Sequence, residues 1–194
     1  MNIGIDIDDT INNLSEIIMP YAQTWNLAHG KPIGPINPSA RHNHEIYGWT
    51  LEEMREFKKA HINDIAPKAL LKPLVREVLS ALHQDGDKIH FITARDREWD
   101  QYTDPHGISE AYLEKHRISY DGLFSECRDK ISVCKDLSID VFIDDTLTTC
   151  KLATAEGIRT ILFAAPHNKD CGTLERATSW IEIYYMLKGD LWTK

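Results

Sequence analysis

Two apolar runs that each stop on acids constrain this chain more than any other feature. Ile3-Gly4-Ile5 leads into Asp6-Ile7-Asp8-Asp9-Thr10, and more than a hundred residues later Val141-Phe142-Ile143 leads into Asp144-Asp145. Carboxylates at the ends of two buried strands repel one another unless a cation sits among them. Side by side in a parallel sheet, the two strands would bring these acids into one crevice at the carboxyl edge, where open α/β sheets bind ligands. An all-oxygen site of this kind suits a hard cation such as Mg2+, with room left for water and phosphate. The pattern implies metal-dependent phosphoryl transfer.

Four segments read as buried strands: Ile3 to Ile7, Lys88 to Thr93, Ile139 to Asp144 and Arg159 to Phe163, with Tyr120 to Phe124 as a weaker fifth. Helical patterns alternate with them. Pro73 suits a first helical position, and Leu74, Val75, Val78, Leu79 and Leu82 then share one face until Asp85-Gly86. Further helices are expected over Ser109 to Arg117, over Thr148 to Glu156 before Gly157, and from Ser179, where Glu182 completes a capping-box pattern. Alternating strands and helices predict an α/β fold, a doubly wound parallel sheet with right-handed crossovers.

The rhythm breaks once. About 65 residues without a convincing strand separate the first strand from the Pro73 helix. They hold a helical stretch from Leu14 to Leu27, a proline-rich turn region from Pro32 to Pro38, and a capping box, Thr50 with Glu53, for a helix to Ile62. That is too long for a simple βα connection. The expectation is a small helical cap at 14–72, without a hydrophobic core of its own, on an α/β core formed by 1–13 and 73–194.

The bulk numbers set the bounds. A chain of 194 residues holds one well-buried α/β core with a modest insertion. Its formal net charge of −8 disfavours a nucleic-acid or anionic-membrane footprint but not a small anion met by local cations. Cys127, Cys134, Cys150 and Cys171 form no C-x-x-C pair, so reduced thiols are expected rather than a zinc cluster or disulfide scaffold. No apolar stretch has membrane-spanning length, and the N-terminus begins directly on the strand and its acids. A cytoplasmic protein is expected, with a homodimer left open.

Asp6 is placed to be a nucleophile, because a carboxylate can attack phosphorus and split hydrolysis into two easier steps. Asp8 points to the same side of an extended chain and could protonate the leaving oxygen, then deprotonate the attacking water. The plainer alternative is a polar turn with Asp9 or Thr10 as a helix cap. Thr93 and Ala94, at the end of the second strand, offer a hydroxyl and backbone donors to a phosphate oxygen. Lys130 could neutralise charge on nucleophile and phosphate, with Lys135 as competitor. Arg95 offers an anion contact, or an ion pair with its neighbours. In the expected cap, Tyr47 and Trp49, with Trp25 and Phe57, form either a wall for a base to stack on or the cap's own small core. Arg41-His42-Asn43-His44 reads as a sugar or phosphate contact or a solvated loop, and Tyr102 to His106 as a mobile polar loop.

These motifs, in this order, resemble the haloacid-dehalogenase-like phosphatase superfamily: an Asp-x-Asp strand end, a Thr strand end, a Lys and an acidic pair. The resemblance implies Asp6 as nucleophile and metal ligand, and Asp8 as acid/base that also binds metal through its backbone carbonyl. It implies that Thr93 and Lys130 hold phosphate, that Asp144 completes an Mg2+ site with Asp145 in support, and that a helical lid covers the site. A narrower similarity, carried by Arg128-Asp129-Lys130, Ile143-Asp144-Asp145 and the run from Ile161 to His167-Asn168, is to the 5'(3')-deoxyribonucleotidase family and its bacterial relatives. It implies a nucleoside monophosphate as substrate; on the residues' own chemistry, Asp9, Thr10, Ala94, Arg95, Tyr47 and Trp49 are the candidate substrate contacts. Asp9 stands where eukaryotic members carry glycine, and Thr93-Ala94-Arg95 departs from their usual residues. A sugar phosphate or another small phosphoester is the alternative substrate, and a phospho-ligand sensor the alternative role.

Overall fold

The computed structural model describes residues 1–189, so residues 190–194 of the expected second core segment lie outside the described residues. Six strands, β1 Asn2–Ile5, β2 Lys88–Ile92, β3 Gly122–Phe124, β4 Val141–Asp144, β5 Arg159–Phe163 and β6 Glu175–Ala177, form one sheet in the order β3-β2-β1-β4-β5-β6, all parallel. The acid-bearing strands β1 and β4 are adjacent, with Ile5 opposite Ile143. Chain order reverses between β1 and β4, which makes the gap between their carboxyl ends a switch-point crevice. The helices are α1 Leu14–Ala28, α2 Asn43–Tyr47, α3 Leu51–Ile65, α4 Val75–Gln84, α5 Pro105–Lys115, α6 Lys130–Asp136, α7 Leu147–Ala155 and α8 Trp180–Lys188.

Local chemistry explains most boundaries. Thr50 accepts from the Glu53 amide at 3.1 Å while Glu53 accepts from the Thr50 amide at 2.8 Å, so α3 starts on the expected capping box. In α4, Val75, Val78, Leu79 and Leu82 face the interior as their spacing requires. Pro73 does not open that helix: Leu74 takes φ +64°, outside it and exposed, and α4 starts one residue later. Tyr102 to His106 is no mobile loop either, because Tyr102 is buried and Pro105 begins α5 behind an Asp104 cap. At α8 only half the expected capping box forms. Ser179 accepts from the Glu182 amide, but the Glu182 carboxylate turns back to Thr178.

Residues 14–65, which carry α1, α2 and α3, stand over the carboxyl edge of the sheet. The chain leaves and rejoins the sheet at adjacent points: Asn12 bridges Leu71 in antiparallel fashion, and Lys72 donates to the Ile11 carbonyl at 2.9 Å. One buried cluster runs from Ile3, Ile5 and Phe91 in the sheet to Ala22, Trp49, Met54 and Phe57 above it. All four cysteines are free thiols. Among the described residues no helix is long and apolar enough to cross a membrane.

Candidate active site

The register of β1 against β4 builds the site. The Asp6 amide continues the ladder past β1 by donating to the Ile143 carbonyl at 2.9 Å, which sets Asp6 beside Asp144. Asp6, Asp144 and Asp145 each offer an oxygen, and these oxygens lie within 4.8 Å of one another. Lys130 enters from the first turn of α6, whose cap is Asp129 accepting from the Ser132 amide. Its Nζ lies 2.6 Å from Asp6 Oδ1 and 2.8 Å from Asp144 Oδ2. All four side chains are buried, so the contacts act in a low-dielectric setting.

One lysine does not balance three carboxylates. Burial pushes the Asp6 carboxyl up to about 7, with Asp144 and Asp8 adding to the rise and Lys130 opposing it. Burial, then the charges of Asp144, Asp6 and Asp9, hold Asp145 well above the carboxylate range. For Lys130, burial favours the neutral amine, but Asp144 and Asp6 outweigh it and the ammonium is reinforced. A dense, oxygen-only, under-neutralised donor set fits a hard divalent cation. The pair is anchored from behind: Thr146 donates to Asp144 Oδ1 at 2.7 Å, and Asn168 Nδ2 donates to the Asp145 carbonyl at 2.7 Å.

Asp8 is set apart from that trio. Its carboxylate receives a two-pronged contact from Arg95, Nε to Oδ2 at 2.8 Å and Nη2 to Oδ1 at 2.5 Å, and a further bond from Asn12. Burial raises its proton affinity, but the Arg95 charge and hydrogen bonds prevail, so the carboxyl sits below its ordinary range. Arg95, expected to contact an anion or pair with a sequence neighbour, forms its ion pair with the distant Asp8, and it also lines the crevice.

Asp6, Asp8, Lys130 and Asp145 open onto a crevice of about 720 Å³ between sheet and cap. Thr93 and Ala94 also line it, with Asp9 at its edge. The Thr93 hydroxyl accepts from the Arg95 amide at 3.3 Å. Asp9 takes φ +57°, the left-handed conformation that glycine adopts freely, and its carboxylate binds the Ser15 amide and hydroxyl at the start of α1. Thr10, expected near substrate, is fully buried. Its hydroxyl accepts from the Asp145 amide, and its carbonyl accepts from Trp180 Nε1. Trp49 is likewise withdrawn into the cap interior, with ring centroids 4.9 Å from Tyr47 and 4.7 Å from Phe57, and Nε1 donating to Asn26. Tyr47 is buried too but is among the residues that line the crevice. Met19, Ile46, Leu51 and Met54 give the cap side of the crevice an aliphatic stretch beside its polar residues. Of the Arg41–His44 stretch, His42 caps α2 and all four residues border the crevice.

Sequence reasoning missed the anchors behind the acids. Ser109, which accepts from Arg95, sits in a segment without a motif. Trp99, bracketed by Arg55 at 4.5 Å and Arg128 at 5.5 Å, gave only an isolated aromatic as a signal.

The family model for "5' nucleotidase, deoxy (Pyrimidine), cytosolic type C protein" matches residues 1–191. A Bacillus cereus protein described as "Putative nucleotidase" is 24% identical over 199 residues, covering 98% of this chain and 100% of the relative. Among solved structures, a haloacid dehalogenase-like family hydrolase from Streptococcus pneumoniae superposes with a TM-score of 0.63 at 15% identity, covering 96% of this chain and 98% of that one. A HAD-superfamily hydrolase of subfamily IA from Geobacter sulfurreducens gives 0.64 at 14% identity over 95% and 98%. Those two likenesses concern the fold. The family match over nearly the whole chain identifies it as a member of the cytosolic type C 5'-nucleotidase family and as a phosphoric monoester hydrolase, on a fold shared with those two hydrolases.

Proposed function

We propose that this protein is a Mg2+-dependent phosphomonoesterase acting through an aspartyl-phosphate, with nucleoside monophosphates as its substrates. The observation that carries this reading is Asp6 at the crevice floor, held between Lys130 and the two acids ending β4. Asp6, Asp144 and Asp145 would hold the cation, with the Asp8 backbone; bound there it would supply charge stabilisation for the transferring phosphoryl group. Thr93, the Ala94 backbone and Lys130 would hold phosphate oxygens. Residues 14–72 would act as the lid, carried by a core of 1–13 and 73–194.

In the first step Asp6 attacks phosphorus, the ester P–O bond breaks, and Asp8 delivers a proton to the leaving oxygen. Arg95 holds Asp8 ionised, so that proton comes from the monoanionic ester, whose second ionisation falls near pH 6. In the second step Asp8 takes a proton from water as it attacks the acyl phosphate, freeing Asp6 and inorganic phosphate. The crevice falls within the roughly 300–1,000 Å³ common for small-molecule sites, so it accommodates a nucleoside as well as the phosphate.

The test is a screen of phosphorylated metabolites with and without Mg2+, run beside Asp6→Asn. Phosphate release that requires Mg2+, favours nucleoside monophosphates and vanishes in the variant is the expected result. A preference for sugar phosphates would move the substrate assignment, and turnover by Asp6→Asn would overturn the nucleophile.

A further inference from the structure

Deepening that proposed reading, and resting on it, the geometry points to Arg95 as a positioning residue: it fixes the Asp8 carboxylate toward the leaving oxygen and does not bind substrate itself. Four observations support it. The guanidinium uses its fork on Asp8, spending Nε and Nη2 on the two carboxylate oxygens, the arrangement that fixes a carboxylate in plane as well as in place. The remaining nitrogen is also employed, because Nη1 donates to Ser109 Oγ at 3.2 Å and the Ser109 hydroxyl in turn donates to the Pro105 carbonyl at 2.7 Å.

The cation is walled in. Arg95 is 2% exposed, and the rings of Tyr102 and Tyr112 lie 5.4 and 6.0 Å from its Cζ. Both phenols are buried as well, so the guanidinium has little room to swing toward a bound ester. Finally, the segment that supplies Tyr102 is fastened to the cap. Asn63 of α3 donates to the Gln101 carbonyl at 3.1 Å and accepts from the Thr103 amide at 2.9 Å, and Lys58 meets Asp100 at 2.5 Å. The wall behind Arg95 is therefore held by the same helix that forms part of the lid.

A residue acting only through Asp8 has a distinctive signature. Its removal slows leaving groups that need a proton, spares those that do not, and does nothing once Asp8 is gone. The experiment is a double-mutant cycle of Arg95→Met with Asp8→Asn, on an alkyl phosphate and on 4-nitrophenyl phosphate, with kcat and KM measured separately. Arg95→Met should lower kcat on the alkyl ester by about 10-fold or more and on the aryl ester by less than about 3-fold, leave KM within about twofold, and have no further effect in Asp8→Asn. Equal losses in both backgrounds, or a loss carried by KM, would overturn the inference and make Arg95 a substrate contact.

Should Arg95→Met not fold, Ser109→Ala loosens the same guanidinium while keeping its charge. It should show the same leaving-group pattern at about 3-fold, and a loss equal for both esters would overturn the inference. The wild type in the same assay separates the two readings: no phosphate release from any ester refutes the phosphatase proposal, whereas an active wild type with additive variants refutes only the role of Arg95.

Discussion

Lys130 Nζ stands 2.6 Å from Asp6 Oδ1, both side chains buried, and this contact connects an amine early in α6 to the acid that ends the first strand. The lysine also reaches Asp144, so it is the protein's own counter-charge for a nest of carboxylates. Its removal should therefore damage both chemistry and fold. Lys130→Met is expected to lose about 100-fold or more in kcat and, with chelator present, roughly 3–5 kcal/mol of stability, the cost of stranding a buried partner. Adding Mg2+ should narrow the stability deficit without restoring turnover. Thermal melts and phosphate release, each with and without the ion, check this.

The raised carboxyl of Asp6 predicts a pH signature in chelator. A group whose folded value is about 7 against 3.8 in the open chain is protonated in the native state while already ionised in the unfolded one. The unfolded chain then binds fewer protons, so this residue's contribution to stability falls as pH rises from about 4 through 7 and levels off above. Asp6→Asn should remove that fall and be the more stable protein at pH 8, by a few kcal/mol in order of magnitude. Urea midpoints across pH for both proteins decide it, and identical pH slopes would refute it.

Asp9 offers a test of backbone against side chain. Its left-handed conformation is costly for a residue with a Cβ, by roughly 1 kcal/mol, while its carboxylate supports the start of α1 through Ser15 for about the same amount. Asp9→Gly relieves one and forfeits the other, so its melting temperature should lie close to the wild type. Asp9→Ala keeps the strain and loses the cap, and should melt several degrees lower.

Trp49 and Tyr47 should part company. Trp49 packs between Tyr47 and Phe57 inside the cap, so Trp49→Ala is expected to cost about 3–5 kcal/mol by opening a cavity. Trp49→Phe should leave KM for nucleotides nearly unchanged. Tyr47 borders the crevice, and Tyr47→Ala should raise KM for nucleotides more than for an aryl phosphate. Steady-state kinetics on both substrate types distinguishes them.

Much of this arrangement could be read from residues alone, because it rests on patterns with short range. Ile3 to Ile5 and Val141 to Ile143 announce buried parallel strands by unbroken apolar character, and the acids after them mark the sheet's carboxyl edge. What escaped has long-range causes. Strand β6 is three residues, Glu175, Arg176 and Ala177, with no apolar run; it forms because β5 offers an open ladder and Arg159 grips Glu175 at 2.7 Å. Arg95 read as an anion contact or an ion pair with its sequence neighbours, and only the fold sets Asp8, Ser109 and two tyrosines around it. Thr10 and Trp49 carry groups suited to ligands, but the hydroxyl is used on the Asp145 amide and the indole on Asn26 of α1.

The bridge between Asn12 and Leu71 has a mechanical corollary. For a detour whose two feet stand next to each other, each doubling of length adds only about 0.6 kcal/mol of closure entropy. Extra length in the exposed turns of the roof above the carboxylates would then leave the register of the strands that aim Asp6 and Asp144 intact. Beyond those two feet, Asn63 and Lys58 moor the roof to residues 100–103 and one apolar cluster runs through both layers, so a change of roof would have to respect those moorings.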